Sequence, residues 1–101
     1  MPSIRALSNE ASALLAKQRG QLGAALDHLH LARQLWTSVA SPIHTARLRL
    51  SIVDLQLEMG NMHGAETELR AACIAAEKLD SAKLRQLCKA CQEKLARRRN
   101  S

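Results

Sequence analysis

The chain has no Phe and no Tyr, and only one Trp, Trp36. Its core must therefore be built from Leu, Ala, Ile, Val, Met and Cys, which, apart from the β-branched members, are strong helix formers. Two Pro and four Gly are the only backbone punctuation, and no window alternates apolar with polar residues for long enough to describe a half-buried strand. No apolar stretch is long enough to span a bilayer, and the N-terminus lacks the seven or more apolar residues of a secretory signal. The three cysteines, Cys73, Cys88 and Cys91, are an odd number. Together these absences set the expectation of an all-α protein in a reducing, cytoplasmic compartment, with no membrane association and with free thiols.

At 101 residues and 11.1 kDa, there is room for a single domain, 1–101, near the size where each buried side chain matters. The formal charge is +6, from 15 Lys plus Arg against nine Asp plus Glu, and Arg97, Arg98 and Arg99 supply half of that excess. The body of the domain is thus mildly basic, and residues 97–101 read as a basic tail. A short tail of this kind suits non-specific attraction to nucleic acid, but no element for reading bases accompanies it. The simpler expectation is a solvated, frayed helix end.

Hydrophobic spacing divides the chain into five helices. Pro2-Ser3 opens the first, with Ser3 as the N-cap and Ile4, Leu7, Ala11, Leu14 and Leu15 as its apolar stripe; it ends near Gly20. The second carries Leu22, Ala25, Leu29, Ala32, Leu35, Trp36 and Val39. Ser41-Pro42 starts the third, with Pro at a position where its missing N–H costs nothing, and the stripe is Ile43, Ala46, Leu50, Val53 and Leu57. Gly60 reverses the chain into the fourth, with Met62, Ala65, Leu69, Ala72, Ala76 and Leu79. Asp80 caps the fifth, whose stripe is Leu84, Leu87, Cys88, Cys91 and Leu95. Facing stripes separated by Gly-containing turns bury themselves by folding as antiparallel hairpins. The pairs are expected at about 3–39 and 42–79, followed by a capping helix at about 81–97.

Sliding the chain by 40 residues superimposes Gly20 on Gly60, Ala25 on Ala65, Leu29 on Leu69 and Ala32 on Ala72. Every match has a physical reason, since Gly reverses the chain, Ala lets two helices approach, and Leu fills the space between pairs. This order of turn Gly, small residue, larger residue and small residue resembles the tetratricopeptide repeat, as does Leu50-Ser-Ile-Val-Asp-Leu-Gln-Leu-Glu-Met-Gly60. The sequence departs from that family where Leu29, Gln56, Met62 and Leu69 replace its aromatic residues, and where Ala13 and Val53 stand in for a Gly. The period exceeds the usual length of about 34, similar to the extended repeats of motor light chains and some bacterial transcriptional activators. The resemblance implies a short, right-handed α-solenoid whose concave face is lined by the first helix of each pair. On that geometry the groove residues are Glu10, Leu14, Lys17, Arg47, Leu50, Asp54 and Leu57, joined on the capping helix by Arg85 and Lys89. The resemblance further implies a non-catalytic module that binds a peptide or partner helix, with the basic members favouring acidic or carboxylate-ended partners. The family's carboxylate-clamping Lys and Asn set is not reproduced.

Other constellations point away from catalysis. Cys88-Lys-Ala-Cys91 places two thiols on the apolar stripe of a helix, where free Cys behaves as a small hydrophobe, and no second CxxC follows to complete a metal site. His28 and His30 face different sides of their helix, while His44 and His63 sit near helix starts. No serine lies in a nucleophile elbow and no Gly-rich phosphate loop is present. No enzyme activity, metal or cofactor is expected. Trp36 is read as packing at the core edge rather than as a binding anchor. A second reading is self-association, because two and a half repeats leave an apolar outer face at one end that a second copy, as a homodimer, would bury.

Overall fold

The computed structural model describes residues 1–100. Its elements are α1 (Pro2–Gln18), α2 (Leu22–Ser38), α3 (Pro42–Glu58), α4 (Met62–Lys78) and α5 (Ala82–Arg99), and no strand occurs among the described residues. Consecutive helices pack on one another, and α3 additionally contacts α5. The shortest dimension is 19 Å, about the thickness of two packed helices.

Four three-residue turns join the helices, and all four are built the same way. In each, the residue after the C-cap takes a left-handed conformation: Gly20 (φ 76°), Ala40 (φ 52°), Gly60 (φ 81°) and Asp80 (φ 48°). Two backbone bonds then close the turn, as in Gly20 N–H to Lys17 O and Gln21 N–H to Ala16 O. The same pair recurs from Ala40 and Ser41 to Thr37 and Trp36, from Gly60 and Asn61 to Leu57 and Gln56, and from Asp80 and Ser81 to Glu77 and Ala76. This is the Schellman arrangement, which satisfies carbonyls that the helix end leaves without partners. Each of the first four helices has 17 residues, so helix plus turn repeats every 20 and a hairpin every 40.

The caps depart from expectation at α1 and α5, and the cap of α3 is made without a side-chain bond to the backbone. Helix α1 begins at Pro2 with Met1 as its N-cap, so Ser3 lies inside the first turn. Ser41 occupies the N-cap of α3, but its hydroxyl meets His44 Nδ1 at 2.6 Å rather than a backbone N–H. The cap of α5 is Ser81, which accepts from Leu84 N; Asp80 belongs to the turn and pairs with Arg85. The fifth helix also extends through Arg99, so residues 97–99 of the expected basic tail are helical, and Arg99 pairs with Glu66. Ser101 lies outside the described residues.

The core is organised around α3. On one side Leu48 packs with Ala6, Ala32 and Trp36, and Leu55 packs with Ala16 and Ala25. On the other, Ala46, Leu50, Val53 and Leu57 join Ala65, Leu69, Ala72 and Ala76 of α4 and Leu84, Cys88, Cys91 and Leu95 of α5. Ile52 is fully buried as well. A helix that is apolar on both sides belongs in the interior, whereas the stripe read from sequence covered only the α4–α5 side.

The expected stripe of α1 is reversed. Ala6, Ala13 and Ala16 face the core, while Ile4, Leu7, Leu14 and Leu15 are 62, 55, 60 and 47% exposed. Alanine permits the close approach to α2; large side chains in that seam would hold the two helices apart. Ile43 and Leu87, also assigned to core stripes, lie largely exposed.

A left-handed residue with a Cβ costs about 1–2 kcal/mol in the native state, partly offset by the greater unfolded-state freedom of Gly. Ala40→Gly should accordingly raise stability by about 0.5–1 kcal/mol, and Gly60→Ala should lower it by about 1 kcal/mol. Urea titration of the two variants beside the parent checks both signs.

Candidate functional site

Helices α1, α3 and α5 bring their C-terminal halves together, and ion pairs cross between them. Arg47 Nη1 of α3 lies 3.0 Å from Glu10 Oε1 of α1. Lys17 Nζ of α1 lies 3.4 Å from Glu58 Oε1 of α3, and Lys94 Nζ of α5 lies 3.1 Å from Asp54 Oδ1 of α3. Between them opens a concavity of about 440 Å³ lined by Lys17, Asp54, Leu57, Glu58, Lys94, Arg97 and Arg98. A smaller one, about 200 Å³, continues between α1, α2 and α3, with Glu10, Leu14, Lys17, Ser51 and Asp54 on its walls.

Five of the nine groove residues named from sequence line these two concavities, Glu10, Leu14, Lys17, Asp54 and Leu57, and Arg47 lies beside them through its pair with Glu10. Leu50 and Leu57 are 5 and 3% exposed. Leu50 is taken up in the α3–α5 core and offers no floor to a groove; Leu57 touches the larger concavity only with its edge. Arg85 is directed elsewhere, to Asp80 and to a hollow shared with Cys73, Glu77 and Gln92, while Lys89 is exposed and lines neither concavity. The face of α5 that looks at α3 carries Cys91, Lys94 and Leu95 instead, one helical face displaced from Arg85 and Lys89. Glu58, Lys94, Arg97 and Arg98 also line the larger concavity and were not among the groove residues expected from sequence. Their signal was present in the spacing, since Asp54 with Glu58 and Lys94 with Arg97 and Arg98 each fall on one helical face.

Glu10 is fixed more firmly than the rest. Its Oε2 accepts a hydrogen bond from Trp36 Nε1 at 2.8 Å while Oε1 holds Arg47. The Trp36 ring, 6% exposed, packs with Ala6, Ala32 and Leu48 and stacks on His44 at a centroid distance of 4.0 Å. His44 in turn meets the hydroxyl of Ser41. Trp36 therefore belongs to the core, and this chain of contacts ties α1 and α2 to the start of α3. The repeat-signature residues serve the same framework: Ala25, Ala32, Ala65 and Ala72 are buried in the helix seams, Leu69 is buried with them and Leu29 packs at their edge. Gly64, which carried no role in the sequence reading, leaves room for the side chains of Asn61, the N-cap of α4, and Gln56, whose nitrogens would stand 2.6 and 2.8 Å from an added Cβ.

The thiols sit behind the site. Cys88 and Cys91 are buried, Cys73 is half-buried, and all three are free. Burial, reinforced by Cys73, pushes the Cys88 thiol from 9.0 up to about 12. Burial also raises Cys91, to about 11, helped by the Asp54 carboxylate to which its S–H points at 3.8 Å. Thiols held protonated are poor nucleophiles. Among the described residues, no group of three or more His, Cys, Asp or Glu side chains converges as for a metal ion. None of their helices is long and apolar enough to cross a membrane.

No family model, curated protein or solved structure matches the chain.

Two measurements follow from this geometry. Removing the Glu10 carboxylate leaves the Trp36 N–H buried without an acceptor, so Glu10→Ala should cost about 1–3 kcal/mol, whereas Arg47→Ala, which breaks a half-exposed ion pair, should cost no more than about 1 kcal/mol; chemical denaturation ranks them. The second concerns pH. Unfolded thiols ionise near 9 while native Cys91 and Cys88 hold their protons to about 11 and 12, so the native state binds more protons across that range and stability falls as pH rises from 9 toward 12. Denaturation midpoints measured over pH 8–11 should decline less steeply for a Cys88→Ala, Cys91→Ala double variant than for the parent.

Proposed function

We propose that this chain is a non-catalytic protein-interaction module, and that the face formed by α1, α3 and α5 receives an acidic segment of a partner protein. The observation that carries the reading is the charged concavity at the C-terminal halves of those helices. Lys17, Lys94, Arg97 and Arg98 line it against Asp54 and Glu58, and the Arg47–Glu10 pair lies beyond it on the same face. The pairs Lys17–Glu58 and Lys94–Asp54 are 37–48% exposed by side chain, and pairs that open to water contribute about 0–1 kcal/mol. They are readily exchanged for pairs with an incoming carboxylate. The partner is thus recognised mainly by charge, with the edge of Leu57 as an apolar contact. The tetratricopeptide-like order of turn glycines and seam alanines supports the same reading, since modules of that kind present their first helices to peptides.

Display of a random peptide library on the immobilised protein tests it. Enrichment of Asp- and Glu-bearing peptides is expected, with binding weakened at least tenfold by Lys94→Glu with Arg97→Glu and reduced at high salt. No enrichment, or binding indifferent to the charge reversal, would sink the reading.

A further inference from the structure

The two terminal helices of the stack finish it differently. Outward of α5 stand Lys83, Gln86, Lys89 and Glu93, all exposed, with Leu87 at their margin the one exposed large apolar side chain of the helix, a mainly polar surface that ends a helical stack in water. Outward of α1 stand Ile4, Leu7, Ala11, Leu14 and Leu15, at i, i+3, i+7, i+10 and i+11, with no charged residue within the stripe. Arg5 and Lys17 lie only at its margins. This is an unbroken helical seam with the spacing by which helices pair, and it is left open to solvent.

We infer that a second copy of this chain covers it, with the α1 helices of the two copies packed antiparallel about a two-fold axis to form a dimer. The order of side-chain sizes carries the choice of partner. Reading along α1 gives large, large, small, large. Set antiparallel about a point between Leu7 and Ala11, Ile4 of one copy meets Leu14 and Leu15 of the other, and Leu7 meets Ala11. Every large side chain then faces a gap or an apolar neighbour, and the small Ala11 sits where the two backbones come nearest. The stripe is complementary to itself, as a two-fold interface demands.

The alternative of head-to-tail stacking, α5 of one copy on α1 of the next, would set Lys83, Lys89 and Glu93 against leucines and build open fibres; the polar finish of α5 rejects it. The size of the surface is also right. The exposed parts of these side chains form a patch on the order of 500 Å², so two copies, with flanking polar atoms, bury about 1,000–1,200 Å², at the lower bound of specific interfaces. A reversible dimer is the expected outcome, forming in the micromolar range. It takes up Leu14 at the rim of the smaller concavity but leaves the larger one, lined from α1 by Lys17 alone, open, and it does not rest on the peptide-binding reading.

Sedimentation equilibrium over a concentration series tests the inference, beside Leu7→Gln with Leu14→Gln. Both leucines are more than half exposed, so the double variant retains its helices, as circular dichroism at low concentration will verify. The expected result is a mass that rises from 11.1 kDa to twice that value and stops, with the dissociation constant raised at least tenfold in the variant and unaffected by Lys89→Glu. A monomer at every concentration overturns the inference. So does a dimer indifferent to the leucine substitutions, or a mass that continues to grow past two copies.

Discussion

Everything in this fold depends on α3 being buried on two opposite sides at once. Leu48 and Leu55 close the first hairpin, and Leu50, Val53 and Leu57 close the second and receive α5. Without α3, the alanine seam of α1 and α2 would lose Leu48 and Leu55, which close over Ala6, Ala16, Ala25 and Ala32 beside Trp36. Helix α3 is therefore both half of a hairpin and the plate on which the other hairpin lies. Between its two core faces runs a polar strip, Arg47, Ser51, Asp54 and Glu58, while Arg49 lies apart from it and pairs with Glu68 of α4. The residues of the strip fall at i, i+4, i+7 and i+11, and that narrow strip is the middle of the charged face. Packing thus determines where the site lies.

The turns make this arrangement regular. A single closure, used four times at 20-residue spacing, sets each helix antiparallel to the last and gives the odd-numbered helices a common direction. Only two of the four turns use glycine. The periodicity visible in the sequence was consequently the 40-residue one, marked by Gly20 and Gly60, and the finer one was hidden because Ala40 and Asp80 occupy the equivalent positions. Asp accepts the left-handed conformation better than Ala does, so the strain is concentrated at Ala40, directly before the central helix.

Much of the fold was legible because the chain offers few alternatives to helix. The five segments, their boundaries to within a few residues and the seam positions Ala25, Ala32, Ala65 and Ala72 all follow from spacing and punctuation. Spacing did not reveal which apolar stripe faces inward. In α1 the sequence offers two apolar faces, Ile4-Leu7-Leu14 and Ala6-Ala13-Ala16, and hydrophobicity alone favours the wrong one. The decision belongs to α2, whose own alanines require a thin partner. In α3 the second stripe, Leu48-Ile52-Leu55, was equally visible but was not counted, so Leu50 and Leu57 were placed in a groove when the core had already claimed them. The error on α5 has the same source: once Cys91 and Leu95 are fixed inward, Lys94, Arg97 and Arg98 must border α3, and Arg85 and Lys89 cannot.

The electrostatics of the site follow from the same common direction. Three helix C-termini of like polarity converge near the concavity, each equivalent to roughly half a negative charge, and Glu58 and Asp54 add two more. Lys17, Arg97 and Arg98 in the last turns of α1 and α5 first answer that local excess. Helix-end interactions of this kind contribute about 0.3–1 kcal/mol each, and exposed ion pairs no more, so neither fixes a side chain firmly. Glu10 is the exception, held from two sides by Trp36 and Arg47. The face therefore divides into a rigid end at Glu10 and a labile end around Lys94 and Arg97. On the reading proposed above, an incoming carboxylate gains most at the labile end, where it displaces only weak partners, while the Trp36–Glu10–Arg47 network ties α1, α2 and α3 together at the rigid end.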